Sequence, residues 1–169
     1  MNEEARHNQA MVFPRLAVGR LGSHPAVVWV VKHVVSPLDR IVVKISAGHL
    51  PPPSSLFVPT LLLTTKGRRS GQDRTTPLVY VDDGGRYVVA NARPAGEGRN
   101  PWVLNLSAAG RGLVRVRGKT LAVAAGECDS AEAEEWWPRL VEVWPAFAEH
   151  YAATGDRTVF VLEPIAEGP

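Results

Sequence analysis

Cysteine is almost absent from this chain: among 169 residues there is one, Cys128. An internal disulfide is therefore excluded, and no cysteine metal site can form. Such usage fits a reducing cytoplasm, the expected location. Cys128 has no base beside it in sequence, which makes it a packing residue rather than a nucleophile. The histidines are scattered, at His7, His24, His33, His49 and His150. None has metal-ligand spacing, so no metal site is expected. No Gly-x-Gly-x-x-Gly stands between a strand and a helix, and Gly96-Glu97-Gly98 lacks a third glycine. A Rossmann nicotinamide site is thus unsupported. No Walker loop and no Ser-His-Asp order stands out. Long apolar runs are missing too: Ala26–Val35 is broken by Lys32 and His33 and is too short to span a bilayer. No signal peptide is evident. An enzyme with this inventory would leave the hard chemistry to a bound cofactor.

Net charge is small, +2, but its distribution is not even. Residues 61–120 hold 11 Lys and Arg against 4 Asp and Glu, whereas residues 121–169 hold 2 against 10. One region is built to meet anions and the tail balances it. The densest part is Lys66-Gly-Arg-Arg-Ser-Gly-Gln-Asp-Arg74. It lies between two runs with strand character, Thr60–Thr65 and Thr75–Val81. Gly67 and Gly71 allow a sharp bend, which would set Lys66, Arg68, Arg69 and Arg74 around a hairpin tip. Guanidinium forks match phosphate and carboxylate oxygens, so the tip suits an anionic ligand. A solvated basic turn is the plain alternative. Nucleic acid is not expected, because no aromatic residues interleave with the basic patch.

The rest of the chain reads as strands with helices inserted. Ser23-His24-Pro25 and Ser36-Pro37-Leu38-Asp39 open two short helices, near 25–35 and 37–46. Pro51-Pro52-Pro53 follows as a stiff linker. Residues 1–54 thus form a helical extension, and residues 55–169 the main domain. Peripheral contact of the extension with the inner membrane face is conceivable, but Lys32 and Lys44 are few for an anionic bilayer, and packing is preferred. Asp82-Asp83-Gly84-Gly85 turns into a third strand, Arg86–Ala92. A loop at Arg93–Arg99 precedes a short helix started by Asn100-Pro101 and ended by Gly110. Gly112–Arg117 and Lys119–Gly126 make a second hairpin. An Asp129/Ser130 cap opens a helix that Pro138 should kink or interrupt. Pro145 starts another, ending near Gly155, and Arg157–Glu163 closes the chain. Short connections make the strands mostly antiparallel, and about six of them suggest a small barrel, in the mainly β, α+β class.

Three patterns converge on a site. The basic hairpin is one. Pro77, in Thr75-Thr76-Pro77-Leu78, cannot donate to a ladder and marks an edge or bulge. Arg93, then Arg99 through Leu106, adds cations and a helix N-terminus. Trp102 and Asn105 share a helix face. Trp102 reads equally as a core anchor or a stacking platform, and Asn105 as a surface amide or a ligand contact. Arg111, Arg115, Arg117 and Lys119 read as a solvated strand face. Trp144, Phe147 and Tyr151 recur at helical spacing and could wall an aromatic pocket.

Together, residues 61–80, Asn100-Pro101-Trp102 with Asn105-Leu106, Trp144-Pro145 with Phe147, and Val159–Pro164 resemble the deazaflavin-dependent nitroreductase family. The resemblance implies an FMN-binding-like split β-barrel that holds reduced coenzyme F420, whose phosphodiester and polyglutamate tail is multiply anionic. It implies hydride transfer to a small acceptor: a quinone, an enone or a nitro compound. Carried over by position, Arg68, Arg69 and Arg74 meet the phosphate and tail, with Lys66, Ser70 and Gly71 in the same turn, and Arg93 assists. Backbone around Pro77, Leu78 and Val79, and the segment Pro101, Trp102 to Asn105, would face the ring. The substrate pocket would comprise Val79, Trp144, Phe147, His150 and Tyr151. Four of these depart from the family: Val79, Trp144, Phe147 and His150 stand where it has tyrosines, and Asp73 replaces a usual proline. His150 and Tyr151 are the candidate proton donors. Rival readings are an FMN- or haem-binding split barrel and a non-catalytic F420 carrier. A monomer or homodimer is expected.

Overall fold

A computed structural model describes residues 58–93, 96 and 98–165. The helices expected near 25–35 and 37–46, and the Pro51–Pro53 linker, lie outside the described residues. Six strands close a barrel: β1 (Thr60–Lys66), β2 (Asp73–Asp83), β3 (Arg86–Ala90), β4 (Arg111–Val116), β5 (Lys119–Glu127) and β6 (Val159–Pro164). Around the barrel the order is β1-β2-β3-β6-β5-β4, and β4 returns to β1, with every pair antiparallel. Three helices complete the described part: α1 (Pro101–Ala109), α2 (Ser130–Val143) and α3 (Ala146–Thr154).

Alternation along the strands sorts the apolar residues onto two sides. Leu61, Leu63, Tyr80, Val89, Val114, Val123 and Phe160 point into the barrel. Helix α1 closes one end with Trp102, Val103 and Leu106. The outward set, Val81, Val88, Ala90 and Val159, packs under α2 and α3 against Trp137, Leu140 and Phe147. A second apolar layer therefore lies outside the barrel wall.

The turns follow their residues. Gly84 and Gly85 have φ of 63° and 98°, and Asp82 Oδ1 accepts from the Gly85 N–H at 3.1 Å. Asp129 caps α2: its side chain accepts from the Ala131 and Glu132 N–H groups, and Glu132 accepts from the Asp129 N–H. This is a capping box. Pro138 does not interrupt the helix; α2 runs through it to Val143. Pro138 is exposed, so the carbonyl it leaves without a donor can turn to water. Strand β3 ends at Ala90 rather than Ala92, and β6 begins at Val159 rather than Arg157. Both shifts share one cause. Asp156 Oδ1 accepts from the Thr158 N–H and hydroxyl, and Asp156 Oδ2 from the Asn91 side chain at 2.7 Å. These bonds bend the chain just outside the ladder.

Candidate cofactor and substrate site

The basic turn leaves the barrel at the β1–β2 end as a tight curl. The Gly67 N–H donates to Gln72 O at 2.8 Å, and the Gly71 N–H to Gly67 O at 2.7 Å. A Cβ on Gly67 would stand 2.7 Å from Ser70 Oγ and 3.2 Å from Gln72 O, so a side chain there would turn the Ser70 hydroxyl aside and press on the Gln72 carbonyl. Asn105 braces it from α1. Its Oδ1 accepts from the Arg68 N–H at 3.1 Å, and its Nδ2 lies 3.4 Å from Thr65 Oγ1. Asn105 is 5% exposed and Thr65 2% exposed. Asn105 is thus not a surface amide: it ties the turn to the helix that plugs the barrel.

The turn's guanidinium groups are treated differently from those elsewhere. Arg68, Arg69 and Arg74 are exposed, and none has a carboxylate partner among the described residues. Arg74 Nη2 reaches only the neutral Gln72 Oε1, at 3.2 Å. Lys66, by contrast, pairs with Asp73 at 2.8 Å, a well-exposed contact of little energetic weight. Asp73 therefore removes one cation from the set that the sequence places there. At the opposite end, Arg86 and Arg139 meet Asp83, and Arg117 meets Asp82 at 3.1 Å. Hydrogen bonds from Arg86 and Arg139 hold the Asp83 carboxyl below the usual carboxylate range.

Arg93 follows β3. Its N–H donates to His150 Nδ1 at 3.0 Å, and its Nη1 to Arg99 O at 3.0 Å. The His150 side chain is 7% exposed, with Nε2 3.9 Å from Asp156 Oδ2. An imidazole accepting at Nδ1 carries its proton on Nε2. His150 is therefore engaged on both sides, and that counts against it as a proton donor. Burial would raise the Asp156 carboxyl, but hydrogen bonds from Thr158 and Asn91 outweigh it and hold the carboxyl low. Asn100, read in sequence as a helix cap, makes no capping bond. Its Nδ2 donates to Asn91 Oδ1 at 2.7 Å and to Ala92 O at 3.0 Å.

Of the ring-facing candidates, Trp102 belongs to the core. It is 4% exposed and meets Phe160 edge-on at 5.8 Å, so it stacks inside the barrel. Leu78 also packs inward. Pro77 and Val79 are half-buried on the outer face of β2, and Pro101 is exposed at the start of α1. Val79, Trp144 and Phe147 join one apolar cluster between β2 and the two late helices. Phe147 is buried at 3%, and Trp144 is half-buried. Tyr151 is 37% exposed, with Trp137 at 5.6 Å and the Arg157 guanidinium 4.2 Å above its ring. Burial and the charges of Glu132 and Asp129 push the Cys128 thiol up to about 11, so it stays protonated and inert.

Sequence reasoning overlooked Asn91, Asp156 and Thr158, which fasten the Arg93 segment to β6. The Asp-x-Thr spacing at 156–158 was the available signal, being that of an Asx turn.

A family model described as F420H(2)-dependent quinone reductase matches residues 47–164. The chain belongs to this family. Its cofactor is thus reduced coenzyme F420, as the resemblance implied. Within the family, a Mycobacterium tuberculosis protein provisionally named an F420H(2)-dependent quinone reductase is 33% identical over 91 residues, covering 53% of this chain and 76% of that one. A solved F420-H2 dependent reductase, FDR-A, is 32% identical with a TM-score of 0.57, covering 62% and 94% of the two chains. Another solved chain, described as a domain-swapped dimer, has the same identity and TM-score and is covered to 80%. Among the described residues no helix is long and apolar enough to cross a membrane, and no group of ligating side chains could hold a metal ion.

Proposed function

We propose that this chain reduces quinones with reduced coenzyme F420, gripping the coenzyme's phosphate and glutamyl carboxylates through Arg68, Arg69 and Arg74. The observation that carries this is the contrast in pairing. Three exposed guanidinium groups without a carboxylate partner among the described residues crowd one braced turn, while those at the β2–β3 end are neutralised. A donor set of that kind fits a multiply charged anion. Arg93, and the backbone of Ser70 and Gly71, extend the same binding surface. The ring's place would be beside Pro77, Val79 and Pro101, where side chains are half-buried or exposed.

When bound, the reduced coenzyme supplies a hydride. The chain's own part is to hold the two reactants together and exclude water. Val79 and Trp144, half-buried and backed by the buried Phe147, form the apolar wall against which a quinone ring would lie. Of the two proton candidates, Tyr151 is the better placed: it is exposed, and its hydroxyl has no hydrogen-bond partner among the described residues. A homodimer is the assembly we favour, supported by the related chain described as a domain-swapped dimer.

The test is a titration of purified protein with coenzyme F420, followed by tryptophan fluorescence and then by turnover on a quinone panel. Saturable binding and quinone-dependent oxidation of the reduced coenzyme are expected. No binding would reject the proposal, and binding without turnover would make the chain a carrier.

A further inference from the structure

We infer that His150 is a positioning residue, a neutral imidazole latch that sets the Arg93 segment for cofactor binding. The inference rests on the cofactor site proposed above. It starts from a bond that spans the molecule: the Arg93 N–H to His150 Nδ1, 3.0 Å, between the segment after β3 and helix α3. The imidazole is nearly sealed from water. A backbone N–H can be accepted only by an unprotonated ring nitrogen, so the tether exists in one protonation state.

The surroundings make that state matter. Asp156, on the α3–β6 connection, is the carboxylate within 4 Å of the ring among the described residues, its Oδ2 at 3.9 Å from Nε2. The same Oδ2 accepts from Asn91, and Asn91 accepts from Asn100 at the foot of α1. His150 therefore holds Arg93 and Asp156 holds Asn91, two residues before it, while Asn100 is tied back to Asn91. The cations nearby are Arg93 and Arg99, joined by the Nη1 to carbonyl bond, and Arg157, which stacks on the neighbouring Tyr151 ring. The carboxylate beside the ring is Asp156. A proton on Nδ1 would break the tether, because Nδ1–H and the Arg93 N–H would then be two facing donors.

Three proteins separate this from a merely structural histidine: wild type, His150→Ala and His150→Asn. An asparagine Oδ1 can stand where Nδ1 does and accept the same N–H, but it does not titrate. Affinity for coenzyme F420 is read by tryptophan fluorescence across the range in which an imidazole gains its proton. Wild type should weaken toward acid. His150→Ala should bind about tenfold more weakly at neutral pH, the loss expected from one hydrogen bond that orders a ligand segment. His150→Asn should restore neutral-pH affinity and lose the acid limb. Exchange of the Arg93 amide, measured by NMR without cofactor, should be slow in wild type and in His150→Asn and fast in His150→Ala. If His150→Ala fails to fold, the pH profiles of wild type and His150→Asn still decide. Equal affinity in all three, or an acid limb that survives in His150→Asn, overturns the inference and leaves the cofactor reading standing. Failure of wild type to bind at all instead removes the cofactor reading.

Discussion

The two ends of the barrel use the same side chain in opposite ways. At the β2–β3 end, Arg86, Arg117 and Arg139 reach Asp82 and Asp83, joining three separate elements. At the β1–β2 end, Arg68, Arg69 and Arg74 surround a curl in which, among the described residues, Lys66 alone has a carboxylate, Asp73. The first end stabilises the fold. The second holds charge in reserve for a ligand. Composition cannot separate the two, since Arg86 and Arg117 lie in the same basic stretch, residues 61–120, as the turn. The distinction comes from what each turn faces once the barrel closes.

The comparison breaks most readily with arginine removed from the second end. Replacing Arg68, Arg69 and Arg74 together by alanine should weaken binding of coenzyme F420 by about a thousandfold or more, each charge-assisted bond contributing about 1.5 kcal/mol at the low end. The melting temperature should hardly move. A large loss of stability would show that these arginines belong to the fold after all.

Asn105→Ala comes next and joins the two roles. It removes the brace under the turn and strands buried polar groups, at a cost of about 1–3 kcal/mol in stability. Cofactor affinity should fall with it, by about tenfold. Calorimetry and the fluorescence titration on the same sample would check both. A stability loss with affinity intact would show that the turn keeps its shape unaided.

Asp83→Asn sharpens the other end. The Asp83 carboxyl is held low by Arg86 and then Arg139, so its folded-state value lies below its unfolded one. Its contribution is complete above the ordinary carboxylate range and fades as pH falls through the depressed value. Wild type should therefore lose stability on acidification more steeply than Asp83→Asn, while both bind cofactor equally at neutral pH. Parallel acid unfolding curves would remove Asp83 from the account. The smallest effect is expected from Asp73→Asn. It frees Lys66 at an exposed site, where the charge is worth little, and should raise cofactor affinity about twofold.

The sequence showed the barrel more clearly than the site. Strand alternation and the glycine turns were legible because they are local. The capping box at Asp129 was legible for the same reason. The roles of Trp102 and Asn105 were not. Both sit on one short helix, and whether that helix lines a cleft or plugs the barrel is decided by strands far away in sequence. His150 was misleading in the same way. His150 stands where the resembled family has a pocket tyrosine, and only the fold shows the Arg93 N–H donating to its Nδ1. The pairing of Lys66 with Asp73 follows from register across the hairpin, which the two residues alone do not fix.

The central claim is that the β1–β2 turn recognises the anionic arm of the coenzyme and not its ring. It is tested most directly by comparing the affinity of the wild-type protein for coenzyme F420 and for the same deazaflavin stripped of phosphate and glutamates. The account predicts far tighter binding of the intact coenzyme, with an advantage that shrinks as salt is raised. Equal affinity for the two, unchanged by salt, would contradict it.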